Sequence, residues 1–305
     1  MKRSKGGSQY YIIYIDDCTR YTEVYFLVTK SGEEISVKFQ NYQAWVENRG
    51  FRIKRFRYDN GSGEYNNSAF LGLLAGKGIA YEPAPPYTQH KNGVAERMIR
   101  TLNTKARSMM REANVPTEFW PEAIRTACYL HRRSPTSSLS NNRSPFEALF
   151  GTVPPIEYLR RFGCRVYKHI PPAQRKEKKF GTRSNLCMML GYVHNTTKIW
   201  RIWDFNSGKN GRAVECSSVV FDEKEDAFTS PTGERSEVIE FPEEPQESHE
   251  VEEMNVERMD DSLDIQDNSK LINREPTLFP FATSICNCRA KEEAPVHADG
   301  MLAER

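Results

Sequence analysis

The pattern of apolar and polar positions begins with the features of a mixed α/β fold. The apolar run Tyr10–Ile15 is β-branched and aromatic and predicts a buried strand, and residues 22–28 predict its hairpin partner. Ser31 and Glu34 have the spacing of a capping box, which predicts the start of a helix. That helix places four apolar residues at the spacing of a core-facing stripe: Ile35, Phe39, Tyr42 and Val46.

Strands and then helices continue to residue 150. Two further strands are predicted at residues 53–58 and 79–82, and a proline-rich loop follows the second. Helices are predicted at residues 68–77, 93–111, 118–132 and 144–150, and the second of them places apolar residues along one face. This order of elements predicts an α/β fold with a mixed sheet and helices, in a core domain that spans residues 1–153.

A second unit has a different pattern, with several short strands. Its predicted strands are residues 164–170, 187–192, 199–203 and 214–221. So many strands in so few residues indicate a small β-barrel, and we assign this domain to residues 156–223. Residues 224–305 include a strongly acidic stretch that is poor in aromatic residues and punctuated by proline, which predicts a largely disordered tail.

The distribution of charge along the chain is more informative about function than the net charge of +2. Residues 1–221 carry 35 basic and 18 acidic side chains, whereas residues 222–267 carry 3 basic and 18 acidic ones. A basic body favours a polyanionic partner, because each neutralised phosphate releases condensed counterions. The alternative is that surface lysines and arginines merely keep a domain soluble, and charge alone leaves both open.

Composition argues against other classes of protein. No apolar run approaches the roughly 20 residues that a membrane-spanning helix requires, so no membrane partner is expected. The seven cysteines are scattered, which argues against a secreted disulfide scaffold and favours free thiols. Cys286 and Cys288 are too close in sequence for a normal zinc knuckle. We therefore expect a cytosolic or nuclear protein.

Two carboxylates are candidates for chemistry. Asp59 ends a predicted strand, and Glu96 lies on the first turns of a predicted helix. Carboxylates in such positions can hold Mg²⁺, which takes oxygen ligands, and paired ions of this kind assist phosphoryl transfer. Spacing alone does not establish a site, because aspartate before Asn-Gly is common in turns and glutamate is favoured near a helix start by the helix dipole.

The residues around these carboxylates resemble motifs of the integrases of copia-type retrotransposons. Residues 86–97 resemble the third-carboxylate motif of that family, and residues 57–65 resemble the second. Residues 13–21 are similar to its second-strand signature, and segments between residues 113 and 135 resemble its C-terminal helices. Segments between residues 159 and 223 resemble the SH3-like domain that follows the core in these polyproteins.

The resemblance implies an RNase H-like integrase core that carries out polynucleotidyl transfer with Mg²⁺ or Mn²⁺. It assigns Asp59 as the second metal-binding carboxylate and Glu96 as the third. Four neighbouring residues become candidates for nucleic-acid binding: Lys91, Asn92, Arg97 and Arg100. The alternative for the three basic residues among them is an ordinary solvated surface. The implied partners are element ends and target DNA, with RNA as an alternative, and further copies of the chain.

Three departures from the family pattern bear on activity. The first catalytic aspartate of the family lies on the strand before Tyr10–Ile15, in an Asp-x-x-Gly-Pro context, and we find no such segment ahead of that strand. Asp16 and Asp17 match acids of the family that are not catalytic, and we expect them to serve as turn and capping residues. Residues 89–91 differ from the Pro, Gln and Gln that are usual in the family. The glycine-rich segment of residues 61–63 is one residue longer than the corresponding segment of the family. The zinc-binding His/Cys module found upstream in such integrases is also not seen.

We therefore expect little or no integrase activity from this polypeptide alone, and its status as an enzyme stays open. One alternative is a catalytically dead relic whose basic surface still holds nucleic acid. Another is a structural protein that uses the barrel and the acidic tail for contacts with partners. Any expressed product is expected in the nucleus and cytoplasm, as part of a retrotransposon particle.

Overall fold

A computed structural model describes most of the chain up to residue 228 and two short backbone segments beyond it. The described residues are 2–58, 68–83, 93–175, 181–194, 196–208, 210–228, 277–278 and 280–282. Three predicted site residues, Asp59, Lys91 and Asn92, lie outside them. Within the described ranges, no helix is long and apolar enough to cross a membrane.

The first unit contains strands and helices in the predicted order. Its strands are β1 (Tyr10–Asp16), β2 (Thr22–Leu27), β3 (Arg52–Ile53), β4 (Arg55–Tyr58) and β5 (Ala80–Pro83). Its helices are α1 (Gly32–Glu47), α2 (Ser68–Gly76), α3 (Gly93–Glu112), α4 (Trp120–Arg133) and α5 (Pro145–Phe150). The predicted helices are confirmed, whereas the single strand predicted at residues 53–58 is interrupted at Lys54.

Helix α1 begins where the sequence predicts. The Ser31 hydroxyl accepts a hydrogen bond from the backbone N–H of Glu34 at 3.3 Å, as expected of an N-cap. The Glu34 carboxylate accepts bonds from the backbone N–H groups of Val28 and Thr29, at 2.8 Å each. This carboxylate therefore ties the end of the β1–β2 hairpin to the start of the helix. All four residues of the predicted apolar stripe of α1 are buried.

Strand β1 is buried on both faces and belongs to two hydrophobic clusters. Tyr11, Ile13 and Ile15 pack into the cluster formed with α3 and α4. Ile12 and Tyr14 pack into the cluster formed with α1 and α2. Burial on both faces is typical of a central strand in a sheet that helices cover on each side.

The second unit consists of five antiparallel strands. They are β6 (Cys164–His169), β7 (Ser184–Tyr192), β8 (Trp200–Asp204), β9 (Arg212–Cys216) and β10 (Val219–Asp226). The strands form one sheet in the order β10-β6-β7-β8-β9. The strand predicted at residues 214–221 is two strands, because the chain bends at Ser217 and Ser218. Strand β10 runs to Asp226, beyond the predicted domain end at residue 223.

The two units share part of one hydrophobic core. Met188 and Leu190 of β7 lie in the same cluster as Ala123 of α4. The Thr126 hydroxyl of α4 donates a hydrogen bond to the Leu190 carbonyl at 2.7 Å. A Cβ atom at Gly191 would lie 2.5 Å from the Thr126 hydroxyl oxygen, and the φ of Gly191 is +155°, so glycine permits this close approach.

Two short strands beyond residue 270 join the first unit. Strand β11 (Thr277–Leu278) pairs in parallel with β3, and strand β12 (Pro280–Ala282) enters the larger sheet. That sheet has the order β2-β1-β12-β4-β5. Strand β12 is antiparallel to β1, where Ala282 lies opposite Tyr14, and parallel to β4, where Phe281 lies opposite Arg57. These strands differ from the expectation of a largely disordered tail, which included no strands.

We expect β12 to stabilise the fold through its backbone, because it supplies hydrogen-bonding groups to both β1 and β4. Truncating the chain after residue 270 should lower the free energy of unfolding by roughly 2–4 kcal/mol, the sum of a few net hydrogen bonds. Urea denaturation followed by tryptophan fluorescence measures the change. A chain that ends at residue 285 retains β12 and is the matched control. Equal stability of the two truncated chains would contradict a stabilising role for β12.

Candidate functional site

One apolar face holds helix α3 against the central strand. Ala95, Met98 and Leu102 are buried in the cluster that contains one face of β1. The Tyr11 hydroxyl of β1 donates a hydrogen bond to Asn103 Oδ1 of α3 at 2.9 Å. This bond fixes the position of α3 along the strand, so the start of the helix has a defined place relative to the sheet.

Glu96 lies in the first turn of α3, and its side chain is exposed. The helix dipole favours a carboxylate in this position, so the placement of Glu96 does not by itself require a metal. Its predicted partner Asp59 follows the last residue of β4 in sequence and lies outside the described residues. In the described part of the chain, no group of three or more His, Cys, Asp or Glu side chains could hold a metal ion.

Asp16 and Asp17 have the turn roles that the sequence analysis predicts. The buried Asp16 carboxylate accepts hydrogen bonds from the Thr19 backbone N–H at 2.8 Å and from the Thr19 hydroxyl at 2.6 Å. Asp17 forms an ion pair with Arg20 at 2.6 Å. Both carboxylates thus shape the turn between β1 and β2, and the predicted turn and capping roles are confirmed.

The exposed face of α3 carries a stripe of arginines that the sequence analysis identified only in part. Arg97 and Arg100, both predicted, are followed on the same face by Arg107 and Arg111, which were not predicted. Their spacing of three, seven and four residues keeps all four on one side of the helix, with Glu96 at its N-terminal end. No described carboxylate forms an ion pair with Arg97, Arg100 or Arg107. The signal that identifies the longer stripe is the helical spacing itself.

A buried ion pair holds α4 against the hairpin. The Arg132 and Glu23 side chains are only 2% and 6% exposed, and the guanidinium contacts the Glu23 carboxylate directly. The Arg132 Nη1 also donates a hydrogen bond to the Tyr21 hydroxyl at 2.9 Å. Burial opposes the charged form of Arg132, but the charge of Glu23 together with Tyr21 and Cys128 outweighs burial and raises the pKa of the guanidinium. No pattern in the sequence predicts this pair.

The described cysteines are free thiols, as predicted. Burial raises the pKa of Cys128 to about 11. It raises the pKa of Cys164 and of Cys187 to about 12. These three thiols therefore stay protonated at neutral pH and act as small apolar core residues rather than as nucleophiles. Cys286 and Cys288 lie outside the described residues.

Comparison with known proteins places the chain among retroelement proteins. Residues 164–235 match the family model of the retroviral polymerase SH3-like domain. The chain is 39% identical over 223 residues to the retrovirus-related Pol polyprotein from transposon TNT 1-94 of Nicotiana tabacum, an alignment that covers 73% of this chain and 16% of the relative. It is 37% identical over 190 residues to the Pol polyprotein from transposon RE1 of Arabidopsis thaliana, covering 62% and 12% of the two chains.

Among solved structures, one match is a chain in the cryoEM structure of a simian T-cell lymphotropic virus intasome in complex with PP2A regulatory subunit B56 gamma. The sequences are 13% identical, the TM-score is 0.40, and the match covers 72% of this chain and 74% of that one.

The sheet formed by β6–β10 is thus an SH3-like domain of the retroviral polymerase class, and it follows an α/β core. The chain belongs to the retrovirus-related Pol polyproteins of transposons. It spans 16% and 12% of the lengths of the two curated relatives described above. The predicted family and fold class are confirmed.

Removing Arg132 alone should destabilise the core, because it leaves the Glu23 carboxylate buried without its partner. We expect Arg132→Met to lower the free energy of unfolding by about 3–5 kcal/mol, measured by urea denaturation. Combining it with Glu23→Gln should recover much of that loss. The partly exposed pair of Asp17 and Arg20 offers a control, and Asp17→Asn should cost less than about 1 kcal/mol. Equal costs for Arg132→Met and Asp17→Asn would contradict the assignment.

Proposed function

We propose that this integrase segment binds DNA through the exposed face of α3 and contributes Asp59 and Glu96 to a divalent-metal site for polynucleotidyl transfer. The proposal rests on one observation about the exposed face of α3. A row of four exposed arginines begins next to Glu96 and follows this face. The stripe runs from Arg97 to Arg111, which are fourteen positions apart, or about 21 Å at the rise of an α-helix. Duplex DNA carries one charge per about 1.7 Å of axis, so such a stripe can meet several phosphates.

The metal proposed is Mg²⁺, with Mn²⁺ as the alternative, because carboxylate oxygens suit hard cations. When bound, such ions stabilise the attacking and leaving oxygens of a phosphoryl transfer. The fit to the described residues is partial: Glu96 supplies one exposed carboxylate at the start of a helix that is fixed to the central strand. The role of Asp59 rests on the motif that surrounds it in the sequence.

We further propose that the 305-residue chain alone has little strand-transfer activity. Two carboxylates balance the charge of two divalent ions less well than three do, and Asp16 and Asp17 are engaged in a turn. The exposed face of α3 then serves to bind nucleic acid, and this binding needs no metal. A catalytically dead DNA-binding relic is the second candidate function, and it is favoured by the fact that the arginines extend far beyond Glu96 along α3.

The proposed partners are element ends and target DNA, with RNA as the alternative, and a second copy of the chain. The proposed location is the nucleus and cytoplasm. The similarity of the chain to transposon Pol polyproteins supports the proposed partners and the proposed location.

Neutralising the stripe should weaken DNA binding and make it less sensitive to salt. We expect the triple variant Arg97→Ala, Arg100→Ala, Arg107→Ala to reduce the slope of log affinity against log salt by about 2.7, since each phosphate that is no longer neutralised lowers the slope by roughly 0.9. Fluorescence anisotropy with a labelled duplex over a range of KCl concentrations measures this slope.

The control for this experiment removes the same charge from other exposed positions. Lys54, Lys77 and Arg143 are exposed and lie outside α3, so their triple alanine variant should retain most of the slope. If the slope falls by the same amount in both triple variants, binding depends on net charge alone and the assignment to α3 fails.

A strand-transfer assay with Mg²⁺ or Mn²⁺ tests the catalytic part of the proposal. We expect the full chain to give little joined product, and Glu96→Gln to change neither that amount nor the affinity for DNA in the absence of metal. Robust product formation that Glu96→Gln abolishes would show that the metal site is complete. An affinity for DNA that does not respond to Mg²⁺ would favour the binding relic.

A further inference from the structure

A cavity of about 470 Å³ lies where the end of α4 meets the SH3-like domain. Tyr129 and Arg133 of α4 and Phe146 of α5 line it on the side of the core. Tyr158, in the connection to β6, and His194 and Lys198, between β7 and β8, line it on the other side. The volume falls within the range of about 300–1,000 Å³ that is usual for small-molecule sites.

The lining of this interdomain cavity is basic. Four arginine or lysine residues line it, whereas none of the described lining residues is an aspartate or glutamate. The charge of Arg132 is already balanced by Glu23. Arg133 and Lys198 form no ion pair with any described carboxylate. Two cations therefore face a common space without an anionic partner, and a bound anion would be attracted to both of them.

The guanidinium of Arg133 is held in place before any ligand arrives. It lies 3.5 Å from the ring centroid of Tyr129 and 5.0 Å from that of Phe146. Its Nε donates a hydrogen bond to the Tyr158 hydroxyl at 3.2 Å, and its Nη1 donates one to the Tyr129 carbonyl at 3.2 Å. The remaining N–H groups of Nη2 have no acceptor among the described residues. An arginine fixed in this way loses little side-chain entropy when it binds a phosphate.

We propose that the interdomain cavity binds a nucleoside monophosphate unit. The phosphate is held by Arg133 and Lys198, since a guanidinium and an ammonium are the usual cationic partners of phosphate oxygens. The base lies against the aromatic wall formed by Phe146 and Phe150, and the hydroxyl of Thr197 is available to the sugar or the base. Inorganic phosphate fills only a small part of such a cavity, so the volume and the aromatic wall favour the larger ligand.

Because the lining comes from both units, an occupant of the interdomain cavity bridges the core and the SH3-like domain. This site is separate from the arginine stripe of α3, so the proposal goes beyond the proposed function and does not depend on it. A free nucleotide and the terminal nucleotide of a single strand offer the same chemistry, and competition between the two identifies the source.

Titration of the full chain with dAMP, followed by isothermal calorimetry, tests the proposal. We expect saturable binding that weakens at least about tenfold in Arg133→Gln and in Lys198→Gln, because each variant removes a charged partner of the phosphate. Lys77→Gln, at an exposed position outside the cavity, should leave the affinity unchanged. Thermal unfolding of each variant checks that the fold is retained, and Lys198 lies in a loop where a substitution disturbs little.

Competition by a 5′-phosphorylated single-stranded oligonucleotide would identify a strand end as the ligand, and no competition would identify the free nucleotide. Either result supports the site as long as Arg133→Gln weakens dAMP binding. Absence of dAMP binding, equal binding by Lys198→Gln and the unmodified chain, or inorganic phosphate binding as tightly as dAMP would each overturn the proposal. The triple arginine variant of α3 should keep its dAMP affinity while it loses affinity for duplex DNA, so the two proposals fail independently.

Discussion

Strand β1 needs hydrogen-bonded neighbours along both of its edges, because apolar side chains cover both of its faces. Residues 11–15 are fully buried, with alternate side chains in two different clusters. A buried N–H or C=O group without a partner costs about 1–3 kcal/mol, so an unpaired edge here would offset much of the gain from packing. Strand β2 pairs with one edge and β12 with part of the other. Both layers of helices, and α3 with its candidate site, depend on this arrangement.

Much of this fold could be predicted from the sequence, because its helices carry strong local signals. The stripe of α1 and the capping residue Ser31 identify that helix without knowledge of its neighbours. The features that could not be predicted depend on contacts between distant residues. Strand β12 contains Pro280 and has few residues, and only its position between β1 and β4 makes it a strand. The division of one predicted strand at Ser217 is likewise set by pairing with separate neighbours, since β9 pairs with β8 and β10 with β6.

The candidate site could be predicted only in part, for a similar reason. Glu96 and the first arginines of α3 are adjacent in sequence to a motif, and the structure places them on one exposed face. The buried pair of Arg132 and Glu23 joins residues more than a hundred positions apart, and an isolated arginine at the end of a predicted helix gives no sign of it. The interdomain cavity is formed by side chains from both units and has no sequence motif. Sequence motifs thus predict a candidate role for the face of α3, whereas the interdomain cavity depends on packing and has no local signal in the sequence.

The pairing of β12 with β1 also has a consequence for the synthesis of the protein. Residues 280–282 are synthesised long after residues 14–16 have left the ribosome. At about 5–20 residues per second, the interval is roughly ten to fifty seconds. During that time a nascent chain has open strand edges on β1 and β4, which are templates for pairing with other extended segments. The order of translation therefore leaves these edges of the sheet unpaired until its last strand is synthesised.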